Sequence, residues 1–408
     1  MVELLTEARR EEASSRRRHP TARPARSRRP SPRTATLLGL LVVITALNLL
    51  GFVMVLSASS VSALDRYGSS WYIAGRQGMW LLGGVVACAL VLRIDYHRWR
   101  PLAPVMLGGS VLLLAVVLVP GVGVSANGAT RWLGYGPLSL QPSELAKLTL
   151  LVWIADLLAR RAAWIGDARL TLVPVTVVFG GVALLLMLQP NLGTTLVTGA
   201  IVLAVLYVAG TPLGPLFVVG AGGAALAVAL ALGASYRRAR VLAFLDPWAD
   251  PQHLGYQPIQ SLVGLASGGA TGTGLGESRA KWGFLPEAHT DFIFSIIGEE
   301  LGLVGTLAVV ALFAALAWLG VRAALGAPDR FGMLLAVGVT AWFIVQALVN
   351  VGAVVAIMPI TGVPLPFVSY GGSSLLFSMI GAGLLLNVAR QGRSRAERRG
   401  APAAPGRR

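Results

Sequence analysis

The sequence predicts an all-α polytopic membrane protein with ten transmembrane helices. Of its 408 residues, 55% are hydrophobic and only 13% are charged, whereas a soluble domain carries about a quarter charged residues. The apolar residues fall into ten runs, each near the roughly 20 residues that a helix needs to cross a bilayer. These runs lack the polar–apolar alternation of membrane strands. A helical bundle is therefore the expected fold.

The predicted spans follow the apolar runs in order. A long charged leader precedes the first run, which we therefore expect to be an uncleaved anchor and not a signal peptide. The ten spans are approximately 36–56, 73–92, 102–119, 143–158, 170–188, 193–209, 213–234, 292–319, 332–357 and 373–389.

Most of the net positive charge lies in two tails. The formal charge is +16, and 12 of these charges fall within residues 1–35 and 390–408. Arginine beside apolar helices indicates cytoplasmic segments held near anionic lipid. The tails contain no Phe, Tyr or Trp on which a nucleic-acid base could stack. We expect two basic tails, the first of them disordered, around a membrane domain over 36–389, with contact to membrane lipids and none to nucleic acid.

The lysines and arginines also predict the orientation, because cytoplasmic segments are enriched in them. With both termini in the cytoplasm, 25 of the 34 fall inside and nine fall outside or within the membrane. This arrangement leaves a large outer loop of 57 residues, 235–291, between the seventh and eighth helices. Loops of that length are usually functional.

The first of three polar clusters on the predicted outer side contains Arg131, Glu144 and Lys147. Pro142 suits the first turn of the fourth span. Glu144 and Lys147 are then three residues apart on one helix face, close enough to form an ion pair. Two interpretations stay open: the pair neutralises itself, or Lys147 also neutralises a neighbouring acid.

The second cluster alternates Glu287, His289 and Asp291 directly before the eighth span. Asp291 is either an N-cap, a position that favours aspartate, or a functional carboxylate at the membrane boundary. No serine or cysteine nucleophile accompanies the histidine, so we do not expect a hydrolase triad. The spacing matches no metal signature, and we predict no metal-binding residues.

The third cluster lies within residues 364–374, where two prolines and two glycines predict an ordered non-helical segment against protein or water. Its hydroxyl groups, including Ser369, and the adjacent Gly371 and Gly372 indicate the wall of a polar cavity.

A separate run, Gly272–Gly276, resembles half of a dinucleotide fingerprint but lacks the preceding strand. We expect that run to be a flexible loop.

These segments together resemble the SEDS family, the shape, elongation, division and sporulation proteins. The similarity rests on residues 126–132, 141–147, 255–276, 285–302 and 364–374, and it extends over all ten spans. The run Leu-Pro-Glu-Ala-His-Thr-Asp-Phe-Ile-Phe at 285–294 resembles the division (FtsW-type) branch more than the elongation (RodA-type) branch. Thr361 departs from the lysine that many division-type members carry there.

The resemblance implies a peptidoglycan glycosyltransferase that polymerises lipid II during septal synthesis at the bacterial plasma membrane. It also implies a class B penicillin-binding protein and other division proteins as partners. The essential aspartate of the family corresponds to Asp291, for which we expect a role as general base. Candidate substrate-binding residues are Arg131, Glu144, Lys147, Lys281, Glu287, His289, Ser369, Gly371 and Gly372.

The chemistry adds two expectations. A departing pyrophosphate requires positive charge, which could come from Arg131, Arg237, Arg238, Arg240 or Lys281, and Arg131 is the preferred candidate. A divalent cation, Mg²⁺ or Mn²⁺, could share that task. Three alternatives remain: a lipid II flippase, a RodA-type elongation polymerase, or a scaffold that only recruits other proteins.

Overall fold

The computed structural model describes residues 32–126, 129–135, 138–233 and 235–392. Most of both predicted tails therefore lies outside the described residues, and the tail boundaries stay predictions. The helices are α1 Pro32–Tyr67, α2 Tyr72–Arg93, α3 Trp99–Val116, α4 Pro142–Arg160, α5 Ala168–Leu188, α6 Leu192–Ala209, α7 Leu213–Gly233, α8 Ser235–Leu245, α9 Tyr256–Ser267, α10 Ile293–Gly326, α11 Arg330–Val354 and α12 Gly372–Gln391.

Each of the ten predicted spans coincides with one of these helices, and the predicted class of a helical polytopic membrane protein is confirmed. Within the described residues, nine helices are long and apolar enough to cross a membrane. The remaining predicted span is α4, which carries four charged residues among its 19. The number of spans and their orientation stay predictions.

The charged helix α4 is stable in an apolar environment because the protein covers it. Its Pro142 occupies the first turn, as predicted, and most of its side chains are buried. It packs against α3, α11 and α12. By contrast, only 6% of the residues in the apolar stretch of α7 are buried within the protein.

Two features depart from simple spans joined by loops. A small antiparallel sheet connects α3 to α4, in the order β1 Val124–Ala126, β2 Ala129–Tyr135 and β3 Leu138–Leu140. The large loop over 235–291 contains α8 and α9. Neither feature was expected, because short strands and interfacial helices leave little periodicity in a sequence.

The helix α10 is broken at Gly302, which has a left-handed φ of 66°. The break frees the carbonyls of Glu299 and Glu300, and these accept hydrogen bonds at 2.9 and 3.1 Å from amides of the segment 272–276. Beyond the break, the amide of Leu303 donates to the carbonyl of Gly269 at 2.9 Å. The expected loop at 272–276 is present, and two of its amides are paired with α10. Its flexibility stays a prediction.

Cysteine labelling tests the orientation that the charges predict. In a Cys88→Ala background, we expect Ala270→Cys in the outer loop to react with an impermeant maleimide in intact cells. Ala163→Cys, between α4 and α5, should react only after permeabilisation. Both positions are exposed, so access to the reagent decides the result. The reverse pattern would contradict the predicted orientation.

Candidate functional site

The three polar clusters meet at one end of the bundle, where the segment 364–374 contacts the other two. The amide of Gln141, at the start of α4, donates to the hydroxyl of Ser373 at 3.1 Å. The amide of Tyr370 donates to the carbonyl of His289 at 2.9 Å. Residues far apart in the sequence therefore form one continuous polar region.

Asp291 lies just before α10 and does not cap it. The N-cap residue is Phe292, and no side chain makes a capping hydrogen bond there. Asp291 instead lines a cavity of about 10 Å³, enough for about one water molecule. The other lining residues are Phe292, Asn350, Ala353, Ile360, Thr361, Gly362 and Val363.

The environment of Asp291 favours its protonated form. Burial and, to a smaller extent, the negative charge of Glu287 raise the pKa of its carboxyl group to about 7, against the opposing effect of Arg240 and Arg131. No described residue donates a hydrogen bond to the carboxylate. The cations that favour ionisation are thus these two arginines, where the sequence had suggested Lys147.

Glu287 and His289 are held in a tight turn ahead of Asp291. Glu287 adopts a left-handed φ of 57°, and the hydroxyl of Thr290 donates to its carboxylate at 2.7 Å. Burial lowers the pKa of His289, so its imidazole is neutral at neutral pH. The ring centroid lies 5.6 Å from that of Tyr370. The turn therefore fixes the backbone that carries the Glu287 carboxylate and the His289 imidazole, four and two residues before Asp291.

Glu144 and Lys147 form the predicted ion pair, at 2.9 Å, with side-chain exposures of only 3% and 1%. The Lys147 ammonium also donates to the amide oxygen of Gln346 at 2.9 Å. It lies 5.1 Å from the centroid of the Trp342 ring. The hydroxyl of Ser374 donates to Glu144 at 3.3 Å. The pair is therefore the centre of a buried network that joins α4, α11 and α12.

The polar face of α11 was not predicted from the sequence. Its residues Trp342, Gln346 and Asn350 are four positions apart and so share one face. The amide of Gln346 donates to the carbonyl of Pro364 at 2.9 Å. The amide of Asn350 donates at 2.8 Å to the carbonyl of Asp291. Two amide side chains at helical spacing within an apolar run were the available signal.

Lys281 makes structural contacts in the large loop. Its buried ammonium donates to the carbonyl of Gly276 and lies 3.9 Å from the carboxylate of Glu300. These contacts attach the loop to α10. A role for Lys281 in substrate binding stays a prediction.

Ser369, Gly371 and Gly372 shape the third cluster. The hydroxyl of Ser369 is buried and accepts a hydrogen bond from the amide of Leu365 at 2.8 Å. Gly371 is the N-cap residue of α12. A Cβ atom on Gly372 would lie 2.4 Å from the indole nitrogen of Trp80. These residues fix the backbone beside the site, and their contact with a substrate stays a prediction.

Arg131, on β2, is anchored at the turn between α5 and α6. Its guanidinium donates to the carbonyls of Gln189, at 3.0 Å, and Pro190. That turn borders a cavity of about 410 Å³. The cavity is lined by Val117, Leu118, Val119, Pro120, Gly121, Gly123, Ala129, Thr130, Leu188, Gln189 and Pro190. Of the other cations considered, the side chain of Arg237 lies outside the described residues, and Arg238 is exposed.

Known proteins share this fold and these segments. The sequence model of the FtsW/RodA/SpoVE family, described as cell cycle proteins, matches residues 38–394. The chain belongs to this family. It is 41% identical to stage V sporulation protein E of Bacillus subtilis, with 87% of this chain and 97% of the relative covered. It is 42% identical to the probable peptidoglycan glycosyltransferase FtsW of Geobacter metallireducens, covering 86% and 93%.

Two solved structures also have a fold similar to that of this chain. A chain from a structure titled for coordination of polymerization and crosslinking by a peptidoglycan synthase complex superposes with a TM-score of 0.71 and 35% identity. The match covers 86% of this chain and 97% of that one. The rod shape determining protein RodA of Thermus thermophilus gives a TM-score of 0.64 at 32% identity, covering 87% and 96%.

The buried ion pair of α4 gives a stability prediction. We expect Lys147→Met to lower the free energy of unfolding by about 3–5 kcal/mol, because Glu144 is left as an uncompensated buried charge. Adding Glu144→Gln should recover most of this loss. Reversible unfolding in detergent micelles measures both.

Arg160→Met is the matched control for this experiment. The Arg160 side chain is 55% exposed, and its partner Asp156 keeps a 2.9 Å contact with Arg100. We expect a loss below about 1 kcal/mol, because the lost arginine is exposed and Arg100 still neutralises the buried Asp156 carboxylate. Equal losses for Lys147→Met and Arg160→Met would contradict the special importance of the buried pair.

Proposed function

We propose that the protein is a peptidoglycan glycosyltransferase that polymerises lipid II into glycan strands during septal cell-wall synthesis. The observation that carries the proposal is the carboxyl group of Asp291, with a pKa raised to about 7, at the end of the bundle where the polar clusters meet. The relative named FtsW, at 42% identity over 86% of the chain, supports the same reaction.

Asp291 is suited to act as a general base. Its carboxylate accepts the proton of the 4-hydroxyl group of the acceptor sugar, and the resulting oxygen nucleophile attacks the anomeric carbon of the donor. The bond from that carbon to the phosphate oxygen breaks, and the undecaprenyl pyrophosphate leaves with the electron pair. A single displacement inverts the anomeric centre. A base near neutral pKa combines partial ionisation with useful proton affinity, and general bases contribute roughly 10²–10⁴-fold.

Arg131 and Arg240 are the cations that we assign to the leaving pyrophosphate. Both act on the charge of Asp291, so they lie within electrostatic range of the reacting groups. The described residues contain no group of three His, Cys, Asp or Glu side chains suited to a metal ion. A divalent cation would therefore be held mainly by pyrophosphate oxygens and water, as Mg²⁺ commonly is.

A flippase fits the structure less well than a polymerase. Transport across the bilayer requires polar access from both faces, whereas the three clusters converge at one end of the bundle. The division-type assignment is supported by relatives named FtsW, which are 42% and 41% identical over 86% of this chain. A role as a scaffold that only recruits other proteins would not explain the buried carboxylate of Asp291.

We further propose that the chain works with a class B penicillin-binding protein at the division septum, together with other division proteins. The similarity to a chain of a peptidoglycan synthase complex supports such a partner. A partner is also chemically required for a finished wall, because the site we describe would make glycan strands without crosslinks.

Replacement of Asp291 tests the proposed chemistry. Asp291→Asn keeps the shape of the side chain but removes its basicity, so we expect a loss of roughly 10²-fold or more in lipid II polymerisation. The assay uses full-length protein reconstituted in proteoliposomes with its penicillin-binding partner. Asp167→Asn is the control, because Asp167 is a true N-cap that accepts a hydrogen bond from the amide of Arg169 at 2.8 Å. Near wild-type output from Asp291→Asn would refute the proposed base.

The pH dependence of the rate provides a second test. Since the base must be ionised, we expect kcat/KM to rise with pH through about 7, the pKa of Asp291 in the protein without substrate. Glu287→Gln removes a negative charge that raises this pKa, so the rising limb should move to lower pH. Glu277→Gln, an exposed acid in the same loop, should leave the limb in place. A shift to higher pH for Glu287→Gln would contradict the electrostatic assignment.

A further inference from the structure

Asn350 connects two parts of the site that the sequence leaves far apart. Its side chain is 2% exposed. Its amide nitrogen donates to the carbonyl of Asp291 and to the carbonyl of Val363, each at 2.8 Å. One side chain on α11 therefore holds both the segment before α10 and the segment before α12.

The hydrogen-bond partners fix the orientation of this amide. Carbonyl oxygens only accept hydrogen bonds, so the NH₂ group of Asn350 must face Asp291 and Val363. Its own carbonyl oxygen is then buried and finds no partner within the described residues. A buried acceptor without a partner destabilises a fold. The two hydrogen bonds that the amide nitrogen donates therefore have to offset the cost of the unpaired carbonyl oxygen.

The two segments that Asn350 joins close around the Asp291 carboxylate. Asp291, Asn350 and Val363 line the same cavity of about 10 Å³, together with Gly362. Gly362 has a left-handed φ of 69°, and a Cβ atom there would lie 3.6 Å from a carboxylate oxygen of Asp291. The position of the carboxylate thus depends on how these two segments are held together.

We propose that Asn350 is a positioning residue that holds the Asp291 backbone against the segment at Val363, so that the carboxylate faces the shared cavity. This inference rests on the proposed role of Asp291 as the base. Catalytic groups must be held within about 0.5 Å of the productive geometry, and a displacement of about 1 Å can cost 10²-fold in rate. Asn350 lies on the helix α11 and acts through the Asp291 backbone, without contacting the substrate.

The experiment compares two buried asparagines in the same assay. Asn350→Leu keeps the branched shape and the number of heavy atoms but removes both donors, and Asn350→Ala removes the amide group. Asn387 on α12 is the matched control: it is fully buried and donates to the carbonyls of Val91 and Leu92 at 2.8 and 3.1 Å. Asn387 also donates to the carbonyl of Ile94 and accepts from the amide of Gln391 at 2.7 Å, so Asn387→Leu loses more hydrogen bonds than Asn350→Leu, all of them away from Asp291.

We expect Asn350→Leu and Asn350→Ala to lower kcat for lipid II by roughly 10–10²-fold, with KM within about threefold of wild type. The rising limb of the pH profile of kcat/KM should move to lower pH, because a displaced carboxylate is better hydrated and its pKa falls. The charges that also set this limb, Glu287, Arg131 and Arg240, are unchanged. Asn387→Leu should lose stability but keep kcat and the profile.

The outcomes separate this inference from the proposed function. If Asp291→Asn is inactive while Asn350→Leu keeps wild-type kcat and pH profile, the positioning role is refuted and the base survives. If Asn387→Leu loses as much kcat as Asn350→Leu, the effect is general destabilisation, and the positioning role is again refuted. If Asp291→Asn remains active, both proposals fail.

Discussion

Polar backbone groups inside an apolar bundle must find protein partners, and the site of this protein depends on that constraint. The segments before α10 and α12 are not helical, so some of their carbonyls lack the backbone partners that a helix provides. Gln346 and Asn350 supply the missing donors to Pro364, Val363 and Asp291. A row of side chains on one helix thereby makes irregular backbone possible next to the carboxylate.

The need to pair buried backbone groups also explains which features the sequence predicts well. Apolar runs of span length fix the helices, because burial in lipid depends on composition and little else. The Glu144–Lys147 pair was equally predictable, since its spacing is local to one helix. By contrast, the break at Gly302 becomes favourable only when another segment satisfies the freed carbonyls. Long-range pairing of that kind leaves no periodic signal in the sequence.

The site itself was only partly predictable. Asp291 stands out in the sequence by its place at the edge of an apolar run, and its family resemblance points the same way. Its environment does not stand out. Residues of α11 and the segment 360–363 surround Asp291, and the arginines that lower its pKa lie on α8 and β2. The amide of Asn350 is visible in the sequence, but its partners at Asp291 and Val363 follow only from the packing of three segments.

The pairing between α10 and the glycine-rich loop has a consequence for mutational scans. A Cβ atom on Gly268, Gly272 or Gly302 would lie 1.9, 2.1 or 2.4 Å from a backbone atom of the paired segment. Side chains are therefore excluded at these positions by geometry alone. A scan scored by cell survival would mark all three as essential, yet their intolerance reports on steric fit and carries no information about bond making. A mutational scan of this loop should therefore measure the amount of folded protein for each variant as well as cell growth.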